Sequence, residues 1–97
     1  MQLTQNDIAL IQNYFTDKPV LRAYLFGSNA RDEAQNDSDI DILVDLDYNE
    51  HIGLGFIQMH IDLEDALQKK VDLVSSNSVS KHIEPFIESD KVLIYER

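Results

Sequence analysis

Between Ile40 and Leu46 the chain alternates with a period of two. Ile40, Ile42, Val44 and Leu46 fall on one face of a strand, and Asp39, Asp41, Leu43, Asp45 and Asp47 fall on the other. An apolar face opposite an acidic one specifies a half-buried strand, and the flanking segments supply material to cover it. Thr4 followed by Asp7 marks a helix start, with Ile8, Ile11 and Phe15 at helical spacing. That helix is expected to stop near Asp17-Lys18-Pro19, because the residue before proline is pushed out of the helical region. Val20 to Phe26 reads as a second strand, broken by Gly27-Ser28, and Ala30 to Gln35 as one or two helical turns. After a loop from Tyr48 to Gly53, a helix runs from Leu54 to Lys69. Its apolar residues cover more than one stripe and predict a well-buried helix. Val71 to Val74 is a short strand, Ser75 to Ser78 a turn, Val79 to Glu88 a last helix interrupted or begun by Pro85, and Val92 to Tyr95 a closing strand. Helices alternating with strands predict an α/β fold on a single small β-sheet, one domain over residues 1–97.

Charge narrows the partners. Eighteen Asp and Glu stand against eight Lys and Arg, a formal net charge of −10. A direct grip on nucleic acid needs clustered cations, and an anionic membrane surface attracts them, so both are disfavoured. The absence of cysteine excludes disulfides, thiolate zinc sites and cysteine nucleophiles. No stretch approaches the ~20 apolar residues of a membrane span, and the polar start Met1-Gln2-Leu3-Thr4-Gln5 is no signal peptide. A soluble cytoplasmic domain is the expectation. Eleven acids crowd the stretch between Arg31 and Lys69, which holds no Lys or Arg. Such a block is either a solvated face or a cation site seen in one dimension.

Two segments carry the chemistry. Asp39 and Asp41, at i and i+2 on a strand, project the same way about 6.6 Å apart. At an effective dielectric of about 20 they repel by roughly 3 kcal/mol, a cost avoided by solvation or removed by a bound cation. Oxygen ligands without His or Cys suit Mg²⁺ or Mn²⁺; the plainer alternative is the wet side of a half-buried strand. Upstream, Gly27 ends a strand and Ser28 opens a helix, converging backbone N–H groups, a hydroxyl and a helix N-terminus as in a phosphate cradle. Alone, that turn is equally an ordinary strand-to-helix connection. Before an Asp-x-Asp strand it pairs an anion cradle with a divalent-cation site, a combination that suits a nucleoside triphosphate. Asp72, set among the apolar residues Val71, Leu73 and Val74, either alternates outward or joins the same site; adjacency to the Asp39/Asp41 strand separates the two. His51, His60 and His82 have no ligand spacing, and Gly53-Leu54-Gly55 lacks the third glycine of a dinucleotide motif.

Gly27-Ser28-x-Ala30-Arg31 followed by Ser38-Asp39-x-Asp41-Ile42-Leu43-Val44 resembles the signature of the nucleotidyltransferase superfamily that includes DNA polymerase β. Among its members the similarity is to stand-alone minimal nucleotidyltransferases, and it extends over nearly the whole chain. Asn29 and Asp32 depart from the common pattern without removing a ligand. The resemblance implies a polymerase β-like core on a small mixed sheet and a catalytic, metal-binding triad of Asp39, Asp41 and Asp72. It also implies a nucleotide-binding turn at Gly27 and Ser28. Arg31 either neutralises phosphate or pairs with Asp37 or Glu33. The reaction implied is Mg²⁺-assisted (or Mn²⁺-assisted) phosphoryl transfer, with ATP as substrate and pyrophosphate leaving.

The chain spends its length on that core, so the acceptor is expected on a partner within a hetero-oligomer. Proteins of this kind are commonly encoded beside a HEPN-domain ribonuclease toxin and act as its antitoxin by transferring AMP to a tyrosine of the toxin. Two alternatives stay open: a binding-only antitoxin whose acidic surface masks a basic partner, and a nucleotidyltransferase acting on a small molecule. The acids outside the triad (Asp45, Asp47, Glu50, Asp62, Glu64, Asp65) are expected to form solvated surface or a face complementary to a basic partner.

Overall fold

The computed structural model describes residues 3–27, 30 and 39–97. In chain order these form α1 (Gln5–Phe15), β1 (Val20–Phe26), β2 (Ile40–Leu46), α2 (Gly55–Leu67), β3 (Val71–Ser75), a 3-10 turn (Ser76–Ser78), α3 (Glu84–Asp90) and β4 (Val92–Glu96). The helical turns expected over 30–35 lie outside the described residues. The four strands make one mixed sheet in the order β3-β2-β1-β4. β1 runs antiparallel to both β2 and β4, whereas β2 and β3 are parallel.

Local chemistry sets the start of α1. Thr4 Oγ1 accepts from the Asp7 N–H at 3.1 Å and Asp7 Oδ2 accepts from the Thr4 N–H at 3.1 Å, a reciprocal cap that satisfies two otherwise orphaned donors. Ile11 and Phe15 then reach the sheet one turn apart, both fully buried. Met59, Leu63 and Leu67 of α2 join them, against Ala23 and Leu25 of β1, the aliphatic face of β2, Val71 and Leu73 of β3, and Ile94 of β4. Burying each such side chain contributes about 1.5–3 kcal/mol, and together they fix which face of every strand turns inward.

Two departures from the sequence expectation have physical causes. First, α2 is not buried all round: Leu54, Ile57 and Ile61 are 81 %, 57 % and 54 % exposed. A single sheet lies beneath the helix, so one stripe is covered and the second faces outward. Second, Leu43, grouped by periodicity with the outward acids, is buried at 4 % exposure. Leu43 and Ile87 of α3 line the same cavity of about 140 Å³, so α3 covers the second face of the sheet along part of its length. The acids expected at the surface are half-buried or exposed there, and most of them also make bonds inside the chain. Arg22 Nε donates to Asp45 Oδ2 at 2.9 Å. Arg97 reaches Asp47 at 2.9 Å, Glu50 at 3.1 Å and the Lys18 carbonyl at 2.7 Å. Tyr14 Oη donates to Asp62 at 2.6 Å, and Glu64 accepts the Val71 N–H at 2.9 Å.

Two of these acids, Asp62 and Asp47, titrate below the ordinary carboxylate value. The Tyr14 hydroxyl, helped by the Gln58 amide, holds Asp62 below the ordinary carboxylate value, while burial and then Asp62 push the Tyr14 phenol up. Asp47 is lowered first by the Asn49 N–H and then by Arg97. A carboxylate lowered in the folded state stabilises the fold above its unfolded value, and that contribution disappears as pH falls through the folded value. The difference in Tm between wild type and Asp62→Ala is therefore expected to be constant from about pH 7 to pH 5 and to shrink below about pH 3.5. The uneven cover on α2 generates a second expectation. Leu63→Ala should cost about 2–5 kcal/mol in chemical denaturation, and Ile57→Ser less than about 0.5 kcal/mol.

Candidate active site

The site begins with a register. Asp41, second residue of β2, has Phe26 of β1 as its partner on one side and Asp72 of β3 on the other. Side chains directly opposite on neighbouring strands stand on the same face, with strand axes ~4.8 Å apart. The parallel pairing of Ile40 with Val71 and Ile42 with Leu73 sends those four aliphatic residues into the core and turns Asp41 and Asp72 to the other face. Asp39, just ahead of β2, is exposed, Asp41 is half-buried and Asp72 is exposed. The Ile40 N–H bonded to the Lys70 carbonyl at 2.9 Å pins the entry of β2 against the entry of β3. The adjacency that Asp72 needs in order to share a site with Asp39 and Asp41 is thus built by backbone pairing.

Gly27 completes the frame. It follows β1 directly, with φ +75° in the left-handed region. A Cβ placed there would overlap Asp41 Oδ2 and lie 3.2 Å from its Cγ. The carboxylate of Asp41 therefore occupies the space that any other side chain at 27 would take. Glycine is required by backbone conformation, and any larger residue would also displace the Asp41 carboxylate. The Ala30 N–H bonds back to the Gly27 carbonyl at 3.1 Å. Ser28 and Arg31, the other two residues expected at the phosphate turn, lie outside the described residues.

The donor set is all oxygen. Among the described residues no three carboxylate or imidazole side chains are gathered tightly enough to enclose an ion. What fits a divalent cation is the placement: three carboxylates at adjoining strand entries, one half-buried over a glycine, with exposed faces. Hard cations such as Mg²⁺ take one or two carboxylates and complete their shell with water and substrate phosphate, so a loose set of this kind suits them. The three histidines contribute nothing here: His60 sits on α2 with Nε2 3.6 Å from Glu64, and His51 and His82 are exposed.

Against the same face, beside Asp72, opens a cavity of about 300 Å³ between the sheet and the segment leading into α3. Phe26, Val74, Val79 and Ile83 supply apolar wall, and Ser78 and Ser80 also line it. Periodicity does not reveal it, because its walls come from separate elements. The helix expected from Val79 begins only at Glu84, and the residues ahead of it, Ser78, Val79, Ser80 and Ile83, line the cavity.

A mixed sheet with carboxylates at the entries of a parallel strand pair, next to a glycine turn, is the frame of a nucleotidyltransferase. The sequence profile of the family described as polymerase beta, nucleotidyltransferase matches residues 9–97, and the chain belongs to that family. It is an enzyme of the nucleotidyltransferase class. A Methanocaldococcus jannaschii protein provisionally named a protein adenylyltransferase is 43 % identical over 72 residues, 72 % of this chain and 71 % of that one. Protein adenylyltransferase MntA of Thermococcus cleftensis is 44 % identical over 59 residues, 61 % of this chain and 59 % of that protein's length. Among solved structures, a toxin–antitoxin crystallised with AMP-PNP superposes with a TM-score of 0.75 at 25 % identity, covering 98 % of this chain and 75 % of that one.

The Gly27–Asp41 overlap is testable by a double-mutant cycle. Gly27→Ala is expected to cost about 1–2 kcal/mol for the left-handed backbone, with a further penalty from the carboxylate. In an Asp41→Ala background that further penalty should vanish, leaving a coupling of at least about 0.5 kcal/mol in denaturant unfolding.

Proposed function

We propose that this chain, acting as a single domain over residues 1–97, transfers AMP from ATP to a tyrosine hydroxyl of a HEPN-type toxin and so acts as its antitoxin. The observation that carries this reading is the strand register: Asp41 stands between the Gly27 turn and Asp72, so a glycine turn and a carboxylate pair lie side by side on adjacent strands. The likeness to a toxin–antitoxin structure holding a nucleotide analogue supports the choice of substrate and partner, as do the adenylyltransferase names of the relatives.

In this reading the backbone after β1, with Ser28, receives the terminal phosphates, and Arg31 either adds charge there or braces the turn. Asp39, Asp41 and Asp72 would hold Mg²⁺ or Mn²⁺, which when bound neutralises charge on the phosphates. Asp72 orients the acceptor hydroxyl and accepts its proton. The phenolic oxygen forms a bond to the α-phosphorus as the bond from that phosphorus to the bridging oxygen breaks. Pyrophosphate departs with the electron pair, and AMP remains on the tyrosine.

The binding-only alternative loses support from the acid inventory. Asp45, Asp47 and Glu50 pair with Arg22 and Arg97 within the chain, which leaves fewer carboxylates to engage a basic partner.

The test is transfer from ATP labelled on the α-phosphate to the co-encoded neighbour. Wild type should label the neighbour on tyrosine. Asp41→Asn and Asp72→Asn should each lower the rate by about 100-fold or more while keeping the wild-type Tm. Label that moves to small acceptors, or neutralisation that survives Asp41→Asn, would defeat the proposal.

A further inference from the structure

We infer that the cavity beside Asp72 is the acceptor subsite, and that it receives a phenol side chain presented by the partner protein. The inference rests on the reading of Asp72 given above and deepens it by assigning the place where the acceptor ring sits.

Position is the first argument. Gly27, Asp41 and Asp72 lie in that order across three neighbouring strands. In phosphoryl transfer the attacking and leaving oxygens stand roughly in line on opposite sides of the phosphorus. With the leaving phosphates at the Gly27 turn, the attacking oxygen approaches from the Asp72 side, where the cavity opens.

Size and lining give the second argument. At about 300 Å³ the space is at the small end of ligand pockets and takes one ring rather than a nucleotide. Phe26, Val79 and Ile83 offer apolar wall, with the Asp72 carboxylate and the Ser78 and Ser80 hydroxyls as polar groups. A phenol matches this set: its ring is apolar and its single O–H needs an acceptor. Adenine matches it less well, since its edge presents several donors and acceptors. Among the described residues lining the cavity there is no amide side chain and no cation to read that edge. The carboxylate also disfavours a phosphate group in the same space.

The third argument is that the acceptor is carried by a protein. Ile83 lines the cavity, and Phe86, one turn on, is 71 % exposed while Ile83 itself is 54 % exposed. Ile83 thus gives the cavity an exposed apolar edge and Phe86 an exposed ring in the adjoining helix α3, both suited to cover the peptide that carries the phenol.

The experiment uses the full chain with labelled Ile and Val methyls, titrated separately with N-acetyl-tyrosinamide and with adenosine. Saturable shifts at Val79 and Ile83 with tyrosinamide and none with adenosine are the expected result. Shifts with adenosine alone would make this a base pocket and overturn the assignment, and so would no response to tyrosinamide. Val79→Phe, which fills the space, is then assayed with α-labelled ATP and the protein acceptor. Its kcat/KM for the acceptor should fall at least about tenfold with the Kd for ATP within about twofold of wild type. If wild type labels the partner and Val79→Phe labels it equally well, the subsite is wrong. If wild type labels nothing while tyrosinamide still moves Val79 and Ile83, the adenylyl-transfer reading fails and the phenol site stands.

Discussion

The parallel pairing of β2 with β3 is the constraint on which the rest of the molecule depends. Parallel neighbours cannot be joined by a tight turn and need a crossover, which α2 supplies between the two strands. The helix that makes the pairing possible also pins its faces, because Met59, Leu63 and Leu67 bury against the aliphatic side of the sheet. A slip of one residue in β3 would send Asp72 into that core and Val71 and Leu73 out of it, so burial specifies the register. Two carboxylates on facing positions repel each other, and an isolated strand pair would have no reason to align them. Here the alignment is enforced from the opposite face, by apolar burial, and the acids are left where solvent or substrate can reach them.

The same division explains what a net charge of −10 does in so small a protein. Part of the acidity is gathered at the strand entries. A second part acts as internal fastening: Arg97 at the end of the chain ties the residues after β2 to the turn before β1, and Arg22 ties β1 to β2 through Asp45. Tyr14 and Asp62 join α1 to α2 by a similar bond. The exposed ion pairs of Arg22 and Arg97 contribute little individually. Their consequence is geometrical, since they hold loops and helices in place around a sheet whose core is one layer deep on its main face.

Much of this was legible in the sequence because it is local. The alternation from Ile40 to Leu46, the Thr4–Asp7 cap and the break at Gly27 each follow from residues within a few positions of one another, and each stands where the sequence placed it. The outward face of Asp72 followed from Val71 and Leu73 beside it. What could not be read was whatever depends on the layer above a face. The burial of Leu43 depends on the layer that holds α3, more than forty residues away, whose Ile87 lines the same cavity, and α2 looked fully buried because periodicity counts apolar residues without knowing how many partners exist. The steric need for Gly27 is likewise non-local, since the obstructing group is the carboxylate of Asp41 on another strand. The cavity beside Asp72 combines residues from β1, β3 and the approach to α3 and has no sequence period.

In the proposed function Asp39, Asp41 and Asp72 form one reaction centre brought together by strand pairing. Its most direct test is Mn²⁺ binding, followed by electron paramagnetic resonance, to the wild-type chain and to Asp41→Asn and Asp72→Asn in the presence of AMP-PNP. Wild type should bind Mn²⁺ in a nucleotide-dependent way, and either substitution should weaken that binding at least about tenfold. Equal Mn²⁺ binding by all three proteins would contradict it.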